Sequence, residues 1–125
     1  MFFLTVEEVV RAHRKALEEF GGLDGIRDQG LLESAVAMPK ATFGGSYLHE
    51  SLPEMAAAYL YHLCRNHPFL DGNKRVALAC AEAFIDGNGA RLEAANEELV
   101  ELTLSVAEGK ISKNEVAAFL ADRVR

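Results

Sequence analysis

Nine consecutive residues near the middle of the chain combine side chains that could bind a phosphate group and move a proton. The segment reads His-Pro-Phe-Leu-Asp-Gly-Asn-Lys-Arg over positions 67–75, and it separates two apolar stretches that are typical of buried helices. A loop that leads into a helix presents unpaired backbone N–H groups and the positive end of the helix dipole, which together favour phosphate. The placement of this segment therefore predicts an anion site.

Four residues of the segment fit such a site by their chemistry. Gly72 permits close approach of a ligand to the backbone, and Asn73 can donate hydrogen bonds from its side chain. Lys74 and Arg75 place two cations in the first turn of the next helix, where each disfavours the helix by ~0.3–1 kcal/mol. Two cations in that place indicate that an anion is expected; a solvated basic turn is the competing interpretation.

Two further side chains of the segment could act on a phosphorylated ligand. Asp71 lies beside the cations and could hold Mg²⁺, which binds phosphates together with one or two carboxylates; its alternative role is to cap the following helix. His67 ends the preceding helix and could take a proton from an attacking hydroxyl, although a lone histidine there is more often a packed structural residue. Phe69 is expected to anchor the loop in the core. The other histidines are interpreted as structural: His13, His49 and His62.

The elements around the segment are predicted to be helical. Three helix starts carry Ser or Thr followed three residues later by Glu, so that hydroxyl and carboxylate can both bond free N–H groups; they are Thr5…Glu8, Ser51…Glu54 and Ser112…Glu115. Apolar periodicity and breakers predict helices over about 6–20, 28 to before 39, 53–66, 73–85, 97–108 and 113–123. Residues 40–50 indicate a loop or short hairpin. We therefore expect an all-α, compact bundle of about six helices.

Length and composition narrow the possible functions. The chain of 125 residues fits one domain over positions 1–125, and with half of its residues apolar it can form a core without disulfides or structural metal. Its formal charge of -6 argues against wrapping nucleic acid. No apolar run reaches the ~20 residues of a membrane span, and the first residues do not form a signal peptide. We expect a cytoplasmic protein whose Cys64 and Cys80 are buried thiols.

Two features outside the segment could be mistaken for parts of a site. Residues 86–89 repeat the Asp-Gly-Asn triplet, but they close a helix and are expected to serve as left-handed caps. Arg65 precedes His67 by two residues, and it is expected to be solvated or to bond the last carbonyls of its own helix. Whether its side chain reaches the site stays open at this stage.

The nine-residue segment resembles the signature of the Fic/Doc family, and more closely that of its Doc (death-on-curing) branch. The Fic signature is His-Pro-Phe-x-x-Gly-Asn-Gly-Arg, and the Doc form is His-x-Phe-x-Asp-x-Asn-Lys-Arg. This chain matches every fixed position of the Doc form and departs from the Fic form at Lys74. Further stretches that resemble Doc-like proteins lie along the whole chain, at 20–23, 28–35, 88–89 and 107–112.

The resemblance implies a nucleotide-dependent transferase that acts on a hydroxyl group of a protein. His67 would be the general base, and Asp71 would bind the Mg²⁺ that bridges the phosphates. Gly72 and Asn73, with the backbone that follows, would cradle the phosphates of ATP. Arg75 would bind them electrostatically. Residues 40–50 would correspond to the family's flap, which can hold a target segment by adding a strand to its edge.

Lys74 indicates the reaction type within the family. In Fic proteins a Gly at this position leaves room for the α-phosphorus to face the histidine, and AMP is transferred. The Doc branch is implied to bind ATP the other way round and to transfer the γ-phosphoryl group, with elongation factor Tu as the known type of target and arrested translation as the effect. We therefore predict a toxin-type protein kinase. Fic-type AMP transfer, which the Fic-like Gly72 keeps open, and a catalytically silent nucleotide- or partner-binding module are the alternatives.

The resemblance also implies how the protein would be regulated. Toxins of this branch are usually held inactive by a small partner protein, whereas many Fic proteins carry an inhibitory helix with the pattern Ser/Thr-x-x-x-Glu-Gly/Asn. The nearest fit in this chain, residues 46–51, lacks the final Gly or Asn. We predict an external antitoxin that lays an amphipathic helix in a groove near the flap.

Overall fold

The computed structural model describes residues 1–125 and confirms the all-α prediction. Its six helices are α1 (Val6–Phe20), α2 (Gln29–Ala37), α3 (Leu52–Asn66), α4 (Asn73–Gly87), α5 (Asn96–Ala107) and α6 (Lys113–Ala121). A 3₁₀ turn (Met38–Lys40) and two short strands, β1 (Thr42–Phe43) and β2 (Ser46–Tyr47), connect α2 to α3. None of the helices combines the length and the apolar character that a membrane crossing requires.

Local capping chemistry explains where most helices begin. Thr5 and Ser112 accept from the backbone N–H groups of Glu8 and Glu115, whose carboxylates reach back to the cap N–H groups, so both predicted capping boxes form. At α3 the hydroxyl of Ser51 accepts from the backbone of Glu54 but donates to its carboxylate, so only half of the box is made. The helix start predicted at Asp28 is one residue early, because the Asp28 carboxylate is the cap and accepts from the Leu31 N–H.

Helix α3 lies in the centre of the bundle, as its apolar sequence indicates. Eight of its fifteen residues are buried, including Tyr59, Leu60 and Leu63, and it packs against α2, α4, α5 and α6. Each large apolar side chain buried in this way contributes ~1.5–3 kcal/mol. Cys64 and Cys80 are free and buried, and burial raises the pKa of the Cys80 thiol to about 12, which makes it unreactive at neutral pH.

The segment between α2 and α3 is a hairpin rather than an open loop. Thr42 pairs with Tyr47 and Phe43 with Ser46 in antiparallel register. Gly44 and Gly45 both have positive φ (60° and 83°), as a two-residue type I′ turn requires. Phe43 is 81% exposed at the tip, so the hairpin projects an apolar side chain away from the bundle.

The end of α4 differs in one detail from the predicted pair of left-handed caps. Gly89 has a positive φ of 80°, but Asn88 has φ -103° and is not left-handed. The side-chain amide of Asn88 donates to the carbonyls of Phe84 and Phe2, and its oxygen accepts from the N–H of Phe2. Asn88 therefore fastens the first residues of the chain to the end of α4.

Candidate functional site

The segment at positions 67–75, called the site loop below, joins the C-terminal end of α3 to the N-terminal end of α4. Two left-handed residues shape it: His67 (φ 47°, ψ 55°) follows α3, and Gly72 (φ 75°) precedes α4. His67 is the only residue other than glycine with a positive φ. The fold therefore turns the chain so that the His67 side chain and the start of α4 line one cavity of about 430 Å³, together with residues 70–75.

The start of α4 gives this cavity an anion-binding end. The backbone N–H groups of Asn73, Lys74 and Arg75 have no acceptor within the protein, and they carry the positive end of the helix dipole. The Lys74 side chain is exposed and makes no hydrogen bond or ion pair, and the Arg75 guanidinium lies 4.2 Å from the centre of the Phe20 ring. Three N–H groups and two cations at one helix start suit a phosphate group.

A glycine is favoured at position 72 by the backbone conformation there and not by a lack of room for a side chain. The atoms nearest to a Cβ placed on Gly72 would be those of the His13 ring at 3.6–3.7 Å and of the Leu17 side chain at 3.8 Å, which are ordinary contact distances. Its φ of 75°, however, lies in the region that side chains other than Asn, Asp and His rarely adopt. Because glycine occupies the capping position, no side chain accepts from the first N–H groups of α4, and these groups stay uncovered.

Asp71 presents an ionised carboxylate at the rim of the cavity. Its oxygens accept from the N–H groups of Leu23 (3.2 Å) and Gly72 (2.9 Å), and these two bonds hold its pKa below the usual range. The predicted alternative, a helix cap, is wrong because Gly72 occupies the capping position without any side-chain cap. No group of three or more His, Cys, Asp or Glu side chains converges here or elsewhere. A single exposed carboxylate fits a Mg²⁺ that is held mainly by phosphate oxygens and water.

Asn73 has both of its side-chain polar groups engaged within the site loop. Its Oδ1 accepts from the Phe69 N–H at 3.0 Å, and its Nδ2 donates to the Phe69 carbonyl at 3.0 Å. The same Nδ2 lies 3.4 Å from His67 Nδ1. Because an amide nitrogen can only donate, a hydrogen bond at this long distance requires that Nδ1 carries no proton. The sequence indicated that this amide could donate to a ligand; in the structure the side chain bonds Phe69 instead, and the backbone N–H of Asn73 has no acceptor within the protein.

The His13 side chain, on α1, contacts two residues of the site loop. It is buried, its Nε2 lies 2.7 Å from the Asp71 carbonyl oxygen, and its ring stacks on Phe69 at 3.8 Å with an interplanar angle of 6°. The structural assignment of His13 is confirmed, as is the role of Phe69 as a core anchor. The contact of His13 with the site loop was not predicted from the sequence, although a histidine on an apolar stripe must find a polar partner when it is buried.

Residues 21–28, called the connector below, link α1 to α2 and form hydrogen bonds with the site loop. The Leu70 N–H donates to the Gly25 carbonyl at 3.0 Å, and the N–H groups of Arg27 and Asp28 donate to the Pro68 carbonyl at 2.7 and 3.1 Å. The Arg27 side chain continues this pattern, since its Nε donates to the His67 carbonyl at 2.6 Å and its Nη2 to the Asn66 carbonyl at 2.9 Å. Sequence analysis did not identify Arg27, because forty residues separate it from its partner.

The other candidates lie away from the cavity. Arg65 donates to the carbonyls of Val106 (3.4 Å) and Ala107 (3.3 Å), so it bonds the end of α5 rather than of its own helix and does not reach the site loop. The His62 ring nitrogen lies 3.1 Å from the Lys113 amine on the opposite side of α3, where burial lowers its pKa to about 4. Both residues therefore have structural roles.

A second cavity of about 520 Å³ adjoins the site loop between α4 and α5. It shares Lys74 and Arg75 with the first cavity, and apolar side chains such as Phe20 and Leu78 form much of its wall. Glu82 also lines it, and burial raises the pKa of that carboxyl group. Lys74 and Arg75 thus stand between a polar cavity and a more apolar one.

Comparisons of the sequence with known proteins identify a family and two relatives. The family model described as Fic/DOC matches residues 3–85. The chain is 46% identical over 92 residues to a protein named Toxin Doc from Mycolicibacterium smegmatis, which covers 74% of this chain and 68% of that protein. It is 34% identical over 117 residues to a protein named Protein kinase doc from Escherichia phage P1, covering 94% of this chain and 91% of that protein.

Proposed function

Because the chain belongs to the Fic/DOC family, we propose that it is a Doc-type toxin that transfers the γ-phosphoryl group of ATP to a hydroxyl group of another protein. One observation carries the proposal: a histidine, a carboxylate, two cations and the free N–H groups of a helix start all line one cavity. The relative named as a protein kinase matches 94% of this chain, which supports kinase chemistry for the chain.

In the proposed reaction each group of the cavity has a separate task. The hydroxyl oxygen of the target bonds to the γ-phosphorus, the bond from that phosphorus to the bridging oxygen breaks, and the bond electrons leave with ADP. His67 accepts the hydroxyl proton. The N–H groups of residues 73–75, with Lys74 and Arg75, bind the phosphate oxygens and neutralise their charge. Asp71 would hold Mg²⁺, which would supply further charge neutralisation between phosphates.

Lys74 supports γ-phosphoryl transfer over AMP transfer. Its side chain is exposed and without a partner at the start of α4, so it can contact phosphates that a glycine would leave untouched. Because phosphoryl transfer depends mainly on positioning and charge, a cation there can set which phosphorus faces His67. AMP transfer is the second candidate, and the unhindered backbone at Gly72, the Fic-type residue, favours it.

The proposal includes two protein partners in the cytoplasm. The target, which we propose to be elongation factor Tu, would add a strand to the edge of the β1–β2 hairpin and present its hydroxyl to His67. A small antitoxin would lay a helix in a groove near this hairpin; the relative named Toxin Doc supports such a partner. The exposed Phe43 and Leu48 provide apolar contacts in this region.

Labelled ATP tests the reaction directly. The purified protein is incubated with a bacterial extract, Mg²⁺ and ATP labelled at either the α or the γ phosphate. We expect one protein band with γ label only, lost in His67→Ala and retained in the matched control His62→Gln, which changes a histidine of α3 outside the cavity. A band with α label would establish AMP transfer instead. ATP binding without any labelled band, with purified elongation factor Tu also added, would favour the silent binding module.

A further inference from the structure

The backbone of His67 adopts a conformation that its own sequence disfavours. Its φ of 47° and ψ of 55° are left-handed, a conformation that is unfavourable for a residue with a Cβ. The next residue is Pro68, whose ring pushes the preceding residue toward extended conformations. Proline also has no N–H, so Pro68 cannot provide the donor that usually closes a helix after a left-handed residue. Other parts of the fold must hold His67 in place.

The Arg27 side chain bonds both peptide groups that flank His67. The Asn66 carbonyl belongs to the peptide group before His67, and the His67 carbonyl belongs to the one after it. Arg27 donates to these two oxygens at 2.9 and 2.6 Å from two nitrogens of one rigid, planar guanidinium group. Because φ and ψ of a residue are the rotations between its two flanking peptide planes, a rigid group bonded to both planes restricts both angles.

We propose that Arg27 is a positioning residue that fixes the backbone of His67 and thereby aims its imidazole into the cavity. The proposal rests on the proposed function only for the effect on transfer, since the effect on the backbone is independent of it. Arg27 takes part in none of the four ion pairs of the protein and does not line the cavity. Its side-chain hydrogen bonds are thus confined to the end of α3.

Arg65→Ala is a matched control for Arg27→Ala. Arg65 also donates to two successive carbonyls at a helix end, those of Val106 and Ala107, but α5 carries no residue of the cavity wall at that end. Both substitutions remove a guanidinium group that is bonded to helix-terminal carbonyls. The loss of stability from the missing hydrogen bonds should therefore be similar in the two variants. Only Arg27→Ala removes the restraint on His67.

The test combines kinetics, ATP binding and backbone NMR. For Arg27→Ala we expect kcat to fall on the order of 10- to 100-fold, as small displacements of reacting groups do. KM and Kd for ATP should stay within about 2-fold, because the N–H groups of residues 73–75 that bind phosphate are unchanged. The ¹³C shifts of His67 and Pro68 should move in Arg27→Ala. In Arg65→Ala they should move much less, because only the small effect of a nearby sequence change acts on them there. Arg27→Lys, which can reach one carbonyl only, should recover part of kcat.

The outcomes separate this proposal from the proposed function. Unchanged His67 shifts in Arg27→Ala, or equal losses of kcat and of ATP affinity, would overturn the positioning role. If the wild-type protein transfers no label but the shifts move as expected, the kinase proposal fails and the positioning role stands. If Arg27→Ala does not fold, the same shift comparison in Arg27→Lys decides, because that variant keeps the charge but has a single donor nitrogen in place of the rigid guanidinium group.

Discussion

Replacing His67 by glycine should make the protein more stable while it abolishes transfer. His67 is left-handed at the end of α3, a position where proteins usually have glycine. The left-handed backbone costs a residue with a Cβ about 1–2 kcal/mol, and glycine avoids this cost. Glycine also loses more chain entropy on folding, which offsets about 0.5–1 kcal/mol of the gain. The ring itself adds little, since its contact with Asn73 is long at 3.4 Å.

The informative comparison is between His67→Gly and His67→Ala. Both variants lack the imidazole, but only alanine keeps the backbone strain, so glycine should be the more stable of the two by about 1 kcal/mol. For a chain of 125 residues this difference corresponds to about 3–6 °C in Tm. His67→Asn, whose side chain tolerates the left-handed region, should fall between them.

Urea unfolding and the transfer assay check this prediction together. The midpoints of the three variants should rank Gly above Asn above Ala with equal m-values, and none of the three should label a target. A His67→Ala variant as stable as His67→Gly would refute the reasoning, because it would mean that His67 is not left-handed in solution. Transfer by any of the three variants would contradict the proton-accepting role of His67.

Three further predictions concern the groups around the site. His13→Ala should cost about 2–4 kcal/mol in urea unfolding, since it leaves a cavity next to Phe69 and removes the hydrogen-bond partner of the partly buried Asp71 carbonyl; a cost below 1 kcal/mol would contradict its supporting role. The folded pKa of His62 is about 4 and its ordinary value is 6.5, so the unfolded state binds the proton more readily and stability should fall as pH drops from 6.5 toward 4, by about 1–2 kcal/mol after allowance for solvent screening. In His62→Gln, which can still accept from Lys113, the unfolding midpoint should depend less on pH over this range than in the wild-type protein. Lys74→Gly should shift the label on the target from the γ to the α phosphate, and unchanged γ labelling would show that Lys74 does not control the reaction.

The parts of the structure that depend on neighbouring residues could be predicted from the sequence. The bounds of α1 match the prediction because Thr5 and Glu8 begin the helix and Gly21 ends it within one local pattern. The last helix ends at Ala121 rather than 123, because the chain leaves it to pair Val124 with Leu92. That pairing spans more than thirty residues, so no local pattern reports it.

The same distinction applies to the candidate site. The site loop was identified because its residue types are contiguous, and the structure places them around one cavity. Its supports were missed: His13 and Arg27 contact the loop across 58 and 40 residues of sequence. Asn73 shows a related difficulty, since the residue was identified but its amide bonds Phe69. A sequence shows which donors exist, and only the fold decides which acceptors they meet.

The supports of the loop suggest that nucleotide binding and turnover can be altered separately. The N–H groups that would bind phosphate belong to α4, which is anchored by buried residues such as Val76 and Phe84. The imidazole depends instead on the end of α3 and on the bonds from Arg27. Changes in the connector should therefore lower kcat at nearly constant ATP affinity, whereas changes at Lys74 should alter affinity and the phosphate transferred. A connector variant that lost ATP binding and transfer in parallel would show that the two helix ends move as one unit.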